Sequence, residues 1–288
     1  MDARQLKWIY LFVLSLIWGS SFILIKRGLV GLTAIQVGSF RIIFAGLFLL
    51  IIGFKSLKKI SRHQWKYIAL TSVFGTGIPA FFFAIAETQV DSSIVAILNS
   101  LTPLNTLVLG ILFFGLQFQQ KQVIGVFIGL VGCLLLVLSG ASAHPGQNYY
   151  YVLLVVIATL CYAVNVNLIK KHLSDLNSLS ITTGNFAVLL LPALIILSTT
   201  DIGQKIHFET AQHSILFVMI LGVLGTGIAN VVFFKLIQMS SPVFATSVTY
   251  LIPIVAFFWG LLDNEMLTPI QFFGAFVILI GVYLSAKK

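Results

Sequence analysis

The residues of this chain able to do chemistry come in matched sets, and the chemistry they suit is holding a small molecule. Gly75-Thr76-Gly77-Ile78 recurs as Gly225-Thr226-Gly227-Ile228, Pro103 recurs as Pro253 and Gly110 as Gly260, each at an offset of 150 positions. The same offset pairs Asn99 with Thr249, and an offset of 144 pairs Trp18 with Tyr162, Ser21 with Asn165 and Arg41 with Asn185. Hydroxyls, amides, a guanidinium and two large aromatics supply hydrogen bonds, a charge and flat apolar surface. All of them lie in apolar stretches, where polar side chains face a bundle interior and either tie helices together or line a cavity.

Helical spacing sharpens the pattern. Asn99, Thr102 and Thr106 recur at three and four residues and share one face, as do Thr246, Thr249 or Tyr250, and Pro253. Pro103 and Pro253 each remove a backbone donor and free a carbonyl, which then needs a packed partner, water or substrate. Gly75, Gly77 and Pro79, with Gly225 and Gly227, permit close helix packing or bending, and their repetition suits a pair of moving helices. Arg41 is the formal charge set deepest in an apolar stretch, and two readings stand for it, a structural anchor or a direct contact to substrate. Trp18 and Tyr162 likewise either pack or hold the flat part of a ligand.

Bond-making chemistry finds little support. All five histidines lie outside the apolar stretches, and His207, Glu209 and His213 share a loop without a recognised metal-ligand spacing. No Walker-type phosphate loop is present. Cys133 and Cys161 fall within apolar stretches and read as buried thiols. No cofactor, no metal and no enzymatic activity are expected.

The elements that must position these residues are long apolar helices. In 288 residues, 59% are hydrophobic and 9% charged, and the mean hydropathy is +1.05. No soluble core can hide that much apolar surface, so the chain reads as a multi-pass membrane protein. The net charge of +9 does not indicate nucleic acid, because basic residues in such a chain mark the cytoplasmic ends of helices. Ten apolar stretches are expected to cross the bilayer: 8–25, 33–53, 65–86, 92–114, 122–138, 149–168, 179–198, 214–237, 243–262 and 270–286. The N-terminal stretch has a later partner and no small-residue cleavage site, so it belongs to the mature chain.

A Gly-, Ser- and Pro-containing segment, 139–148, separates a first unit, 1–138, from a second, 149–288. Ile25-Lys26-Arg27 matches Ile169-Lys170-Lys171, and Gln122, Gly125 and Gly132 match Gln271, Gly274 and Gly281. The chain is therefore one five-helix unit written twice. Five is odd, so the second copy enters the membrane from the opposite side and the repeats are inverted. Thirteen of the 17 Lys and Arg residues then fall on the side of both termini, which is expected to be cytoplasmic. Lys26, Arg27 and Lys205 fall outside.

Trp18-Gly19-Ser20-Ser21-Phe22, Phe40-Arg41, the pattern from Ser93 through Pro103, and Pro253, Glu265, Gln271, Gly274 and Gly281 together resemble the EamA-type members of the drug/metabolite transporter superfamily. The resemblance covers essentially the whole chain. It implies alternating-access export, or less often uptake, of small metabolites such as amino acids. Leu116 stands where the family often carries an acidic residue in the first copy, and Glu87 and Asp91 place acidic groups at a loop where the family is less acidic. The expectation is a carrier with its site near the midplane, handling an amino acid or similar zwitterion. The alternative is export of amphipathic organic cations or drugs, favoured by an aromatic cavity without access to Arg41.

Overall fold

A computed structural model describes residues 3–90, 92–138, 149–262 and 269–285. Asp91, the segment 139–148 with His144, Asp263, Glu265, Lys287 and Lys288 lie outside the described residues, as do the side chains of Cys133, Gly260 and Gln271. Among the described residues every regular element is helical.

The first helices are α1 (Ala3–Gly19), α2 (Ser21–Gly28), α3 (Ala34–Gly53), α4 (Gln64–Ser72) and α5 (Ile78–Ala86). Then come α6 (Ser92–Asn99), α7 (Thr102–Phe114) and α8 (Gln120–Leu138). The later part holds α9 (Val152–His172), α10 (Ser178–Ser198), α11 (Ile202–Lys205), α12 (Glu209–Ile220) and α13 (Ala229–Met239), followed by α14 (Pro242–Thr246), α15 (Val248–Leu262) and α16 (Pro269–Ser285). Six rods are long and apolar enough to cross a membrane: Gln5–Gly28, Ala34–Lys59, Gln64–Ala86, Val152–His172, Ser178–Ser198 and Glu209–Met239. Of the four further expected crossings, 122–138 and 270–286 coincide with the single helices α8 and α16, and 92–114 and 243–262 are each divided in two, between α6 and α7 and between α14 and α15.

The starts of several helices follow local rules. Thr33 and Gln36 form a reciprocal capping box that opens α3, and Asn177 caps α10 by accepting from the Ser180 N–H at 2.7 Å. Two departures from regular α-helix occur at residues singled out by sequence. Val73–Gly77 and Leu221–Ile228, each containing one Gly-Thr-Gly, are π-helical turns inserted into otherwise continuous rods. Such turns carry one extra residue and re-aim the side chains around them.

Packing places apolar groups outside and polar ones within. Ile51, Phe113, Phe273 and Phe276 are exposed, while Gln36, Ser39, Thr71, Thr106 and Asn167 are buried. That inversion suits a lipid surround, where the periphery needs no polar cover. α10 lies along α3, α7 along α9, and α1 against α13 and α15. α8 lies along α16, with Gly281 so close to Gly129 that an added Cβ would sit 2.6 Å from the Gly129 Cα. Only glycine permits that approach, and the backbones touch because of it.

Side chains also join the ends of the bundle. Lys170 Nζ donates to the carbonyls of Ile237, Gln238 and Ser240 at 3.2, 3.4 and 2.7 Å, capping the end of α13 with a positive charge. At the opposite end, Gln36 Nε2 donates to Asp201 Oδ1 at 2.8 Å, and Lys205 pairs with Asp201 at 3.0 Å. The hydrogen bond from Lys205 holds the exposed Asp201 carboxyl below the usual carboxylate range.

Candidate functional site

Both π-turns contribute to the wall of one central cavity, Gly75 and Thr76 from the first and Thr226 from the second. Its wall brings together Trp18, Ser21, Arg41, Gly75, Thr76, Asn99, Thr102, Tyr162, Asn165, Thr226 and Thr249. These residues come from α1, α2, α3, α6, α7, α9, α15 and the π-turns, so the site exists only once the two parts of the chain have packed together.

Arg41 is the centre of its charge. Nε donates to Thr226 Oγ1 at 2.7 Å, and the Thr226 hydroxyl in turn donates to the Leu221 carbonyl at 3.1 Å. That carbonyl lies five residues back, where the π-turn presents it. Among the described residues Arg41 makes no other hydrogen bond and no ion pair, and its side chain lines the cavity. The remaining guanidinium donors form a planar fork suited to a carboxylate. One bond to Thr226 holds the group and leaves that fork available to a ligand.

Most other hydroxyls around the cavity donate to backbone carbonyls three or four residues earlier in the chain. Ser21 Oγ donates to the Ile17 carbonyl at 2.9 Å, Thr249 Oγ1 to Thr246 at 3.0 Å and Thr102 Oγ1 to Asn99 at 2.6 Å. Each spends its proton and keeps acceptor lone pairs. The last of these bonds answers the question raised by the prolines. Pro103 has no N–H for the Asn99 carbonyl four residues back, and Thr102 supplies the missing donor. Pro253 frees the Thr249 carbonyl in the same way, and Ser100 Oγ donates to it at 3.1 Å. Both carbonyls therefore have hydroxyl partners without substrate, and Pro103 and Pro253 act on the shape of the wall.

Aromatic rings form the rest. Trp18 Nε1 donates to the Gly225 carbonyl at 2.9 Å and its ring meets Phe233 edge-on at 4.9 Å. Tyr162 stacks on Phe83 at 5.8 Å, and Phe83 meets Phe22 at 6.4 Å. Thr246, placed by spacing on the face of Thr249, lines the cavity, as do Phe22, Phe83, Asn230 and Phe233, which were not among the expected site residues. The signal for one pair was present, since Phe83 and Phe233 are 150 positions apart like Thr76 and Thr226. In so phenylalanine-rich a chain that signal does not stand out.

Tyr250 departs from the expectation that it shares the cavity. Consecutive residues on a helix are turned by about 100°, and here Thr249 lines the cavity while Tyr250 points elsewhere. The Tyr250 ring is fully buried against Gly129 and its hydroxyl donates to the Val126 carbonyl at 2.9 Å, which commits it to the α8 interface. Gly77 and Gly227 lie behind the wall, against Leu189 and Phe48. Asn185, the sequence counterpart of Arg41, also lies away from the cavity and is hydrogen-bonded to Thr71 at 2.9 Å. His213 and Glu209 form an exposed pair at 3.5 Å one turn apart on α12, and no cluster of metal-ligating side chains occurs among the described residues.

A bundle of lipid-length helices around a largely apolar cavity with polar side chains set into its wall is the architecture of a small-molecule membrane transporter. The chain belongs to the EamA-like transporter family, whose profile matches residues 6–138 and again residues 149–287. It is 28% identical to the uncharacterized inner membrane transporter YedA of Escherichia coli K12, over 99% of this chain and 92% of that one. It is 21% identical to a probable amino-acid metabolite efflux pump of Salmonella typhimurium LT2, over 93% and 91% of the two chains. A solved crystal structure shares the fold at a TM-score of 0.74 with 15% identity, covering 96% of this chain and 94% of the other.

Proposed function

We propose that this chain is a carrier of ten membrane spans in two inverted five-helix repeats, residues 1–138 and 149–288 joined by the linker 139–148. It exports or exchanges small metabolites carrying a carboxylate, above all amino acids and similar zwitterions, by alternating access across the cytoplasmic membrane. The observation that carries this reading is Arg41, a cation tethered through Nε by Thr226 with the rest of its fork in the cavity. Placing an arginine in a membrane core costs about 2.5–3.5 kcal/mol on insertion scales. A substrate carboxylate offsets that cost during each cycle. The printed name of the Salmonella relative concerns the same class of compound. Export of organic cations is disfavoured by the same guanidinium, although Trp18, Phe22, Phe83, Tyr162 and Phe233 would suit a cation's face.

Reconstituted protein should exchange a radiolabelled member of an amino-acid panel across the vesicle membrane when unlabelled amino acid is present inside. Asn99→Ala and Thr249→Ala present a matched polar pair from α6 and α15, and each should cut that exchange at least about fivefold with normal insertion, from the loss of one hydrogen bond. Failure of every amino acid to exchange in wild-type vesicles sinks the substrate reading. Normal exchange by both variants moves the site to α1 and α9.

The ten-span proposal has its own test. Both termini face the cytoplasm in it, so Lys58→Cys and Lys287→Cys should resist an impermeant thiol reagent applied to intact cells, while His144→Cys and Asp201→Cys react. Labelling of both Lys58→Cys and His144→Cys from outside rules out the inverted arrangement.

A further inference from the structure

The two sequence-equivalent sides of the cavity are filled differently. On one side the polar groups packed around the turn have partners there: Thr226 holds Arg41 Nε at 2.7 Å, Trp18 Nε1 takes the Gly225 carbonyl at 2.9 Å, and the Ser21 hydroxyl fills the space over Gly225. On the other side Thr76 stands for Thr226, Asn165 for Ser21, Tyr162 for Trp18 and Asn185 for Arg41. Asn185 is shorter than arginine and is engaged with Thr71, and Tyr162 is stacked on Phe83. Nothing therefore plays the part of the guanidinium there.

Two buried oxygens are left over as a result. Thr76 Oγ1 and Asn165 Oδ1 have no hydrogen-bond partner, although both residues line the cavity and are only 4% and 2% exposed. Asn165 is held in place by the absence of a side chain at Gly75, where a Cβ would fall 2.6 Å from Cγ and 2.7 Å from Oδ1. Buried acceptors without donors are costly, and a group of them in a cavity wall marks the place of a missing donor. On the equivalent side that place is held by a cationic N–H.

We propose that Thr76 Oγ1 and Asn165 Oδ1 form the subsite for the ammonium group of an aminocarboxylate substrate. The ammonium stands on Thr76 as the Arg41 Nε–H stands on Thr226. The carboxylate half of the assignment rests on the reading of Arg41 given above, whereas the ammonium half rests on the two unpartnered oxygens alone. An ammonium has three donors, enough for both oxygens with one left for water or the substrate's own carboxylate.

The test uses the full chain purified in nanodiscs and three sets of probes: the protein amino acids, their des-amino carboxylic acids, and their decarboxylated amines. Wild type should bind at least one amino acid about tenfold or more tightly than its des-amino acid, the size of discrimination expected when a built acceptor loses its donor. Thr76→Val keeps the shape and removes the acceptor, and should bring that ratio to within about twofold while leaving des-amino acid affinity unchanged. Thr76→Ser should restore the ratio, which a merely structural role would not require. Gly75→Ala, which displaces the Asn165 amide, should act like Thr76→Val. The subsite is overturned if no amino-bearing probe binds wild type, if amino acids and des-amino acids bind equally, or if Thr76→Val leaves the ratio intact. Amines that bind as tightly as amino acids, with Thr76-dependent affinity, would instead remove the carboxylate reading of Arg41 and leave this subsite standing.

Discussion

Replacing Arg41 with glutamine is expected to weaken the binding of a carboxylate-bearing substrate by roughly 10- to 100-fold, the value of a hydrogen-bonded charge pair in a site of low dielectric. Arg41→Lys should fall between the two, since it keeps the charge and loses the planar fork. Substrate analogues with an amidated carboxyl group should distinguish poorly between wild type and Arg41→Gln. The geometry behind this expectation is asymmetric. Thr226 engages Nε, the atom nearest the side-chain stem, so the outer nitrogens are left to a ligand. If Arg41 were an anchor between helices, Arg41→Gln would lower the yield of folded protein and leave the affinity of the surviving fraction unchanged. Yield and affinity measured on the same preparations separate the two outcomes, and unchanged affinity removes Arg41 from the site.

A second large effect is expected far from the cavity, at the contact of α8 and α16. Gly281→Ala introduces a methyl group 2.6 Å from the Gly129 Cα and 2.8 Å from the Gly125 carbonyl oxygen. Backbone atoms cannot rotate away as a flexible side chain can, so the two helices must separate along their length. Overpacking of this kind costs about 1–3 kcal/mol, and it should appear as a lower melting temperature and a smaller monodisperse fraction. Gly203→Ala is the matched control, because a Cβ there meets nothing within 4 Å. Equal melting temperatures for Gly281→Ala and wild type would show that α8 and α16 have room to part without loss, contrary to their packing.

Much of the candidate site was legible because a duplicated sequence marks its own inward positions. A polar residue in an apolar stretch is a weak sign alone, but Ser21 with Asn165, Thr76 with Thr226 and Asn99 with Thr249 recur at fixed offsets, and the cavity wall contains all six. Arg41 also lines that wall, while its counterpart Asn185 does not. The duplication therefore points to equivalent backbone positions without saying that equivalent residues do equivalent work. Tyr250 escaped the same reasoning, because spacing allowed either it or Thr249 to face the cavity and only the hollow opposite Gly129 decides which does.

What the sequence determined by itself is the helical, lipid-facing class of the chain, its membership of a transporter family and the levels at which its helices break. Those properties follow from local causes: apolar run length, the missing N–H of proline and the matched Gly-Thr-Gly turns. Tertiary structure alone decided which groups are already satisfied. Thr102 and Ser100 answer the carbonyls freed by Pro103 and Pro253, Trp18 caps Gly225, and Thr226 takes Arg41, while Thr76 and Asn165 are left with unpartnered oxygens. Hydrogen bonding is short-ranged and directional, so whether a buried oxygen has a partner depends on side chains brought near it from distant parts of the chain.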